Sequence, residues 1–127
     1  LEKLKKFFIG IGFARLTFTT PEDHDRIIAY TSQLAHISSS AYTKSPEAQE
    51  RRGFSAGSFR DMTRVARLDE NIWTELFLDN ADNLTSQLEL FISNLSEYLD
   101  ALRAGDAEKL RALLRDGREK KETAGGR

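Results

Sequence analysis

Hydrophobic positions along the chain recur mostly at intervals of three and four residues, the spacing of one face of an α-helix. The clearest run covers residues 70–104, with Asp69 before it as a capping residue and Gly105 after it as a stop. Its apolar positions are Ile72, Trp73, Leu76, Phe77, Leu84, Leu88, Phe91, Leu95, Tyr98, Leu99 and Leu102. The pattern predicts one very long helix, on the order of 50 Å, with one wide apolar stripe. Because a small domain does not need such a helix, we expect a second subunit to cover part of the stripe.

Shorter helices are predicted on both sides of this run. Thr20-Pro21-Glu22-Asp23 is a strong helix start, because it combines a capping hydroxyl, a proline in the first turn and acidic residues at the positive end of the helix dipole. This helix is predicted to run to Tyr42. Further helices are predicted at about 45–51, 58–66 and 107–122, followed by a disordered tail at 123–127.

The first twenty residues have a different pattern. Leu1–Ile9 reads as a short basic helix that ends at Gly10 and Gly12, and Ala14–Thr19 alternates like a strand. The pair of glycines is a helix-to-strand turn and not a dinucleotide-binding loop, since no strand precedes it. A strand without a partner is not stable by itself. We therefore expect residues 1–20 to be the end of an α/β sheet whose other strands are missing.

Composition narrows the function classes. The 127 residues suffice for one domain, and 19 Lys+Arg against 20 Asp+Glu give a net charge of −1, which argues against a nucleic-acid or anionic-membrane partner. The absence of cysteine excludes a disulfide scaffold, a thiolate metal site and a cysteine nucleophile. Two histidines make an imidazole metal site unfavourable, so we expect no metal. No apolar run approaches the ~20 residues of a membrane span.

One candidate for a polar site lies on the first predicted helix. Asp25, Ser32 and His36 are separated by seven and four residues, which places them on one face of a regular helix among apolar neighbours. This polar seam is either part of a binding site or a histidine satisfied within the core.

A second candidate is a group of arginines. Arg60, Arg64 and Arg67 would share one face of the helix predicted at 58–66. The guanidinium fork suits a carboxylate or phosphate, although surface ion pairs with nearby acidic residues explain the spacing equally well. Trp73 is either a core residue or the wall of a pocket.

Four blocks occur in a recognisable order. They are TPEDHD at 20–25, TSQLAH at 31–36, GSFRDMTRVA at 57–66, and then Trp73 with Asn80. In order and spacing they resemble the C-terminal half of the prephenate dehydrogenase family.

This resemblance implies an oxidoreductase of tyrosine biosynthesis, cytoplasmic, that converts prephenate to 4-hydroxyphenylpyruvate by NAD- or NADP-dependent oxidative decarboxylation. It implies an all-α domain that forms a homodimer and follows a Rossmann domain. Residues 1–20 would then be the end of the nucleotide-binding domain, and 21–122 the helical dimerisation and substrate-pocket domain. The main catalytic residues would lie in the missing domain, so the chain alone is expected to be inactive.

The resemblance also implies roles for single residues. Arg64 would bind a substrate carboxylate, and His36 and Gly57 would line the substrate pocket. Asp25 and Trp73 would be partners in a polar network that supports the pocket. Arg60 would support it as well.

The chain departs from the family pattern at several positions. Gln33 replaces the first histidine of the family's SHLPH-like block, and Ala35 replaces its proline. Ala56 and Ser58 replace glycines on either side of Gly57. The preference for prephenate or arogenate therefore stays open. The alternative function is a stand-alone helical module that forms a dimer and interacts with proteins without catalysis.

Overall fold

The computed structural model describes residues 20–50 and 57–125, and these are helical with short turns and no strand. The all-α prediction is confirmed for this part of the chain, whereas the basic helix at 1–9 and the strand at 14–19 lie outside the described residues. The helices are α1 (Pro21–Ile28), a π-helical segment (Ala29–Leu34), α2 (Ala35–Thr43), α3 (Glu47–Glu50), α4 (Gly57–Thr63), α5 (Glu70–Asp79), α6 (Ala81–Ala104) and α7 (Ala107–Ala124).

The start of α1 follows the sequence prediction. The Thr20 hydroxyl accepts a hydrogen bond from the Asp23 backbone N–H at 3.0 Å, and Pro21 occupies the first turn. Thr20 itself is extended, as expected of a residue that caps a helix. Local sequence therefore sets this boundary.

The predicted helix does not continue in one register to Tyr42, because its middle is π-helical from Ala29 to Leu34. A π turn widens the helix and displaces backbone carbonyls from the regular ladder. Side chains bond to carbonyls around the segment, since Thr31 Oγ1 donates to Ile27 O at 3.1 Å and His36 Nδ1 donates to Ser32 O at 2.7 Å. Such side-chain bonds compensate the backbone for the irregular register.

The short α3 follows a tight turn. Its predicted extent was about 45–51, and the structure places it at Glu47–Glu50. The Ser45 hydroxyl donates to the Glu47 carboxylate and lowers the pKa of that carboxyl.

The helix predicted at 58–66 is shorter than expected. It begins at Gly57 and ends at Thr63, where the Thr63 hydroxyl donates to Phe59 O at 2.8 Å and the Ala66 N–H bonds to Thr63 O at 3.0 Å in a turn. Arg64 therefore lies in the turn, and Arg67 lies in the non-helical stretch before α5. The prediction that Arg60, Arg64 and Arg67 share one helix face is wrong.

The prediction of a single very long helix is also wrong, because a break at Asn80 separates α5 from α6. Asn80 has φ −120° and ψ 30°, and its N–H bonds to Phe77 O at 3.2 Å instead of the carbonyl four residues back. The predicted cap at Asp69 is confirmed: its carboxylate accepts from the N–H groups of Asn71 and Ile72 at 2.9 and 3.1 Å.

The chain divides into two compact units, residues 1–84 and 85–127. In the second unit, α6 ends at Gly105, whose φ of +62° favours glycine. Asp106 caps α7 by accepting from the Lys109 N–H at 3.0 Å, and the Tyr98 hydroxyl donates to Leu113 O at 3.3 Å. The final helix extends to Ala124, two residues past its predicted end.

Much of the apolar surface of the described residues is not buried. The buried apolar residues among them are Ala29, Leu34, Leu84 and Ala101. On α6, an apolar seam consists of Leu88, Ile92, Leu95, Leu99 and Leu102, at alternating steps of four and three. The last four of these remain 54, 51, 45 and 64% exposed. Within residues 20–50 and 57–125, no helix combines the length and the apolarity needed to cross a bilayer.

Candidate functional site

The centre of the candidate site is a stacked pair of aromatic rings. His36 lies at the start of α2 and Trp73 in the first half of α5, and their ring centroids are 4.2 Å apart with an interplanar angle of 26°. Phe77 supports Trp73 from the next turn of α5, at 5.5 Å and 50°. Both members of the stacked pair are half-buried. Two residues that the sequence analysis singled out separately are therefore in direct contact.

The hydrogen bond of the imidazole fixes its tautomer. A backbone carbonyl can only accept, so His36 Nδ1, at 2.7 Å from Ser32 O, carries a hydrogen. In the neutral ring, Nε2 then has a lone pair and no hydrogen. Among the described residues, Nε2 has no bonding partner. It can accept a hydrogen bond from a ligand.

A buried amide, Gln33, lies about one turn before His36 and bonds to α5 about one turn after Trp73. Gln33 is 6% exposed, and its Nε2 donates to Leu76 O at 3.2 Å. Its Oε1 accepts from Asn80 Nδ2 at 2.8 Å. We call the Gln33 and Asn80 side chains the amide clamp. Sequence reasoning did not assign either residue a role, although Gln33 was visible as a departure from the family pattern and Asn80 as part of it.

Asp25 joins this arrangement through its backbone. Its carbonyl accepts a second hydrogen bond from Asn80 Nδ2, at 2.9 Å. Its carboxylate is 61% exposed and lies 3.5 Å from His24 Nδ1. The π-helical segment between Asp25 and His36 changes the helical register, so the regular spacing that grouped them on one face does not apply.

Helix α4 and the turn that follows it carry the other candidate residues beside α2. Tyr42 of α2 and Phe59 of α4 have ring centroids 6.4 Å apart, which shows that the two helices pack together. Gly57 begins α4, and a Cβ added there would meet no atom within 4 Å. Arg60 and Arg64 are exposed, and neither forms an ion pair within the described residues. The alternative in which acidic neighbours neutralise these arginines is therefore not what the structure shows.

The described residues contain no group of three or more histidine, aspartate or glutamate side chains that could hold a metal ion.

The helices pack together through polar contacts, and an apolar seam stays exposed. These features are those of a helical association domain that also carries candidate ligand-binding groups. A family model described as the dimerization domain of prephenate dehydrogenase matches residues 20–116. The chain belongs to this family.

Named relatives are similar over most of this chain. A cyclohexadienyl dehydrogenase of Zymomonas mobilis is 35% identical over 103 residues, which cover 76% of this chain and 35% of the relative. A prephenate dehydrogenase of Bacillus subtilis is 27% identical over 115 residues, covering 87% of this chain and 31% of the relative. The chain thus spans about a third of the length of these relatives.

Two solved structures share the fold. The arogenate dehydrogenase of Synechocystis superposes with a TM-score of 0.75 at 19% identity, covering 97% of this chain and 46% of that protein. The prephenate dehydrogenase of A. aeolicus, solved with hydroxyphenyl propionate and NAD+, gives a TM-score of 0.70 at 24% identity and covers 97% of this chain and 44% of that protein.

Proposed function

We propose that this chain provides the dimer-forming and substrate-binding half of an NAD(P)-dependent prephenate dehydrogenase. The whole enzyme carries out the oxidative decarboxylation of prephenate to 4-hydroxyphenylpyruvate in tyrosine biosynthesis, in the cytoplasm. Membership of the dimerization-domain family supports this function, and the stacked pair of His36 and Trp73 is the observation that carries it. In this proposal residues 1–20 end a nucleotide-binding domain, and 21–122 form the helical domain.

The chemistry of the candidate residues fits a substrate with two carboxylates and a hydroxyl. Arg64, exposed and without an ion pair in the described residues, binds a carboxylate through its bidentate fork. His36 presents Nε2 to the substrate, and Trp73 holds the imidazole from one side. Gly57 leaves space at the start of α4, and Arg60 adds positive charge one turn further on. Asp25 supports the pocket through its carbonyl.

We assign the binding of the nicotinamide cofactor mainly to the preceding domain. A dinucleotide site needs a strand, a glycine-rich loop and a following helix, and the described residues contain no strand. NAD or NADP, when bound by the preceding domain, supplies the hydride acceptor. We assign no step of hydride transfer to residues of this chain.

The apolar seam of α6 is the surface that we assign to a second copy. Its alternating steps of four and three are the spacing at which helices pack side by side in a coiled coil. Four half-exposed aliphatic side chains on one helix favour association over exposure to water.

The experiment that tests this function is steady-state kinetics of the native polypeptide that contains this chain. The assay uses prephenate or arogenate as substrate and NAD or NADP as acceptor. It therefore also determines which substrate and which nicotinamide cofactor the enzyme prefers. Arg64→Ala is expected to raise the KM for the preferred substrate about tenfold or more, because a charge-assisted hydrogen bond contributes about 1.5–3 kcal/mol. Arg115→Ala, at an exposed arginine of α7, is the control. An unchanged KM for Arg64→Ala refutes the assigned role, and absence of wild-type activity with either substrate refutes the function.

A further inference from the structure

Both side chains of the amide clamp use their donor and their acceptor ends, and Gln33 is almost without contact with water. A buried amide has to find protein partners for its donor and acceptor groups, or it destabilises the fold. Gln33 uses both ends, donating to Leu76 O and accepting from Asn80. Asn80 in turn donates to two acceptors and receives a hydrogen bond from Asn83 Nδ2 at 2.9 Å. The orientation of both amides is therefore fixed by several bonds at once.

The position of the clamp relates it to the stacked pair. Gln33 precedes His36 by three residues, and Leu76, whose carbonyl accepts from Gln33, follows Trp73 by three residues, so this hydrogen bond lies about one turn from each ring. The Asn80 N–H bonds to Phe77 O, which leaves the Leu76 carbonyl to accept from Gln33. The end of α5 is in this way tied to the helix that carries His36, next to the point where the two rings meet.

We propose that Gln33 and Asn80 are positioning residues that set the distance and the angle between His36 and Trp73, and through them the direction of His36 Nε2 toward substrate. This inference rests on the proposed function for its substrate, and on the structure alone for its effect on the rings. Neither amide needs to touch the ligand. The clamp acts on binding, because a rotated imidazole presents its acceptor in the wrong direction.

The first arm of the test uses the only tryptophan of the chain. Fluorescence excited selectively at Trp73 reports the stacking of its indole on the imidazole. Gln33→Met keeps the length of the side chain and removes its hydrogen bonds, and Asn80→Ala removes the other amide. We expect both to shift Trp73 emission and to increase its quenching by acrylamide. Asn71→Ala is the control, because Asn71 is an exposed amide on α5, the helix that carries Trp73. It should leave the emission and the quenching of Trp73 unchanged.

The second arm measures KM and kcat of the native polypeptide. Each clamp variant is expected to raise the KM for prephenate about fivefold while kcat changes less than twofold, since one net hydrogen bond contributes about 1 kcal/mol. The two effects should not add in the double variant, because both act through one contact. A swapped double variant, Gln33→Asn with Asn80→Gln, keeps two amides and their combined length. Its KM should return part of the way to the wild-type value. Far-ultraviolet circular dichroism checks that each variant is folded.

The outcomes separate the inference from the function on which it rests. Unchanged Trp73 fluorescence in folded clamp variants overturns the inference, whatever the kinetics. Changed fluorescence with an unchanged KM also overturns it, because the clamp then holds helices together without affecting the site. A wild-type polypeptide without dehydrogenase activity refutes the proposed function and the effect on substrate, and the fluorescence arm still decides whether the clamp positions the rings.

Discussion

Substitution of Leu99 is expected to weaken self-association through the apolar seam of α6. Leu99 is 45% exposed, so a partner can bury about half of its side chain. Complete burial of a leucine stabilises by about 1.5–3 kcal/mol, and half of this is about 1 kcal/mol. A twofold interface contains the residue twice. Leu99→Ala should therefore cost about 2 kcal/mol of association free energy, which corresponds to about a 30-fold increase in Kd.

Sedimentation velocity over a range of concentrations measures this change. The matched control is Leu90→Ala: Leu90 is 57% exposed on the same helix but lies on the side opposite the seam. The reasoning predicts that Leu99→Ala shifts the transition between dimer and monomer to higher concentration and that Leu90→Ala does not. Equal effects of the two substitutions would refute the assignment of the seam, and a wild-type protein that stays monomeric at high concentration would refute the dimer itself.

Three further predictions concern stability. Asp69→Ala should lower the free energy of unfolding by about 1 kcal/mol in a urea titration, because two N–H groups at the start of α5 lose their acceptor; Asp69→Asn should retain most of it. Ser39→Ala should raise that free energy by about 1 kcal/mol, since the Ser39 hydroxyl is buried and has no hydrogen-bond partner among the described residues, and a decrease would show that it is satisfied. The pKa of Glu47 is lowered in the folded protein, so its carboxylate stabilises the fold at pH values above the ordinary pKa of glutamate. This contribution is lost as the pH falls through the lowered pKa. Ser45→Ala should therefore reduce the loss of stability on acidification.

Helix starts were predictable because their signals are local. Thr20, Asp69 and Asp106 each accept a hydrogen bond from an N–H group two or three residues further along the chain. Such caps depend on a few adjacent residues, so sequence alone locates them. The all-α class follows from the same kind of information, since the period of the apolar positions is set by the helix itself.

The irregular points of the fold could not be predicted in this way. The break at Asn80 is stabilised by an acceptor on Gln33, which lies 47 residues away in sequence. The π-helical segment keeps an apolar spacing close to that of an α-helix, and no residue type marks its register. The contact of His36 with Trp73 likewise depends on how α5 packs on α2. At Asn80 and at the stacked pair the deciding partner is distant in sequence, and periodicity contains no information about it.

The π-helical segment allows the chain to hold one more residue between α1 and α2 than a regular helix would need. Each residue of a regular helix turns the chain by about 100°. A π turn holds about one residue more than an α turn, so deleting one residue between Ala29 and Leu34 would let this stretch close into a regular α-helix while α1 keeps nearly the same rotation relative to α2. The Asp25 carbonyl would then still face Asn80. An alignment of this chain with a relative that has a regular helix here therefore needs a one-residue gap within the segment, and residues before it correspond in space only after that gap is placed.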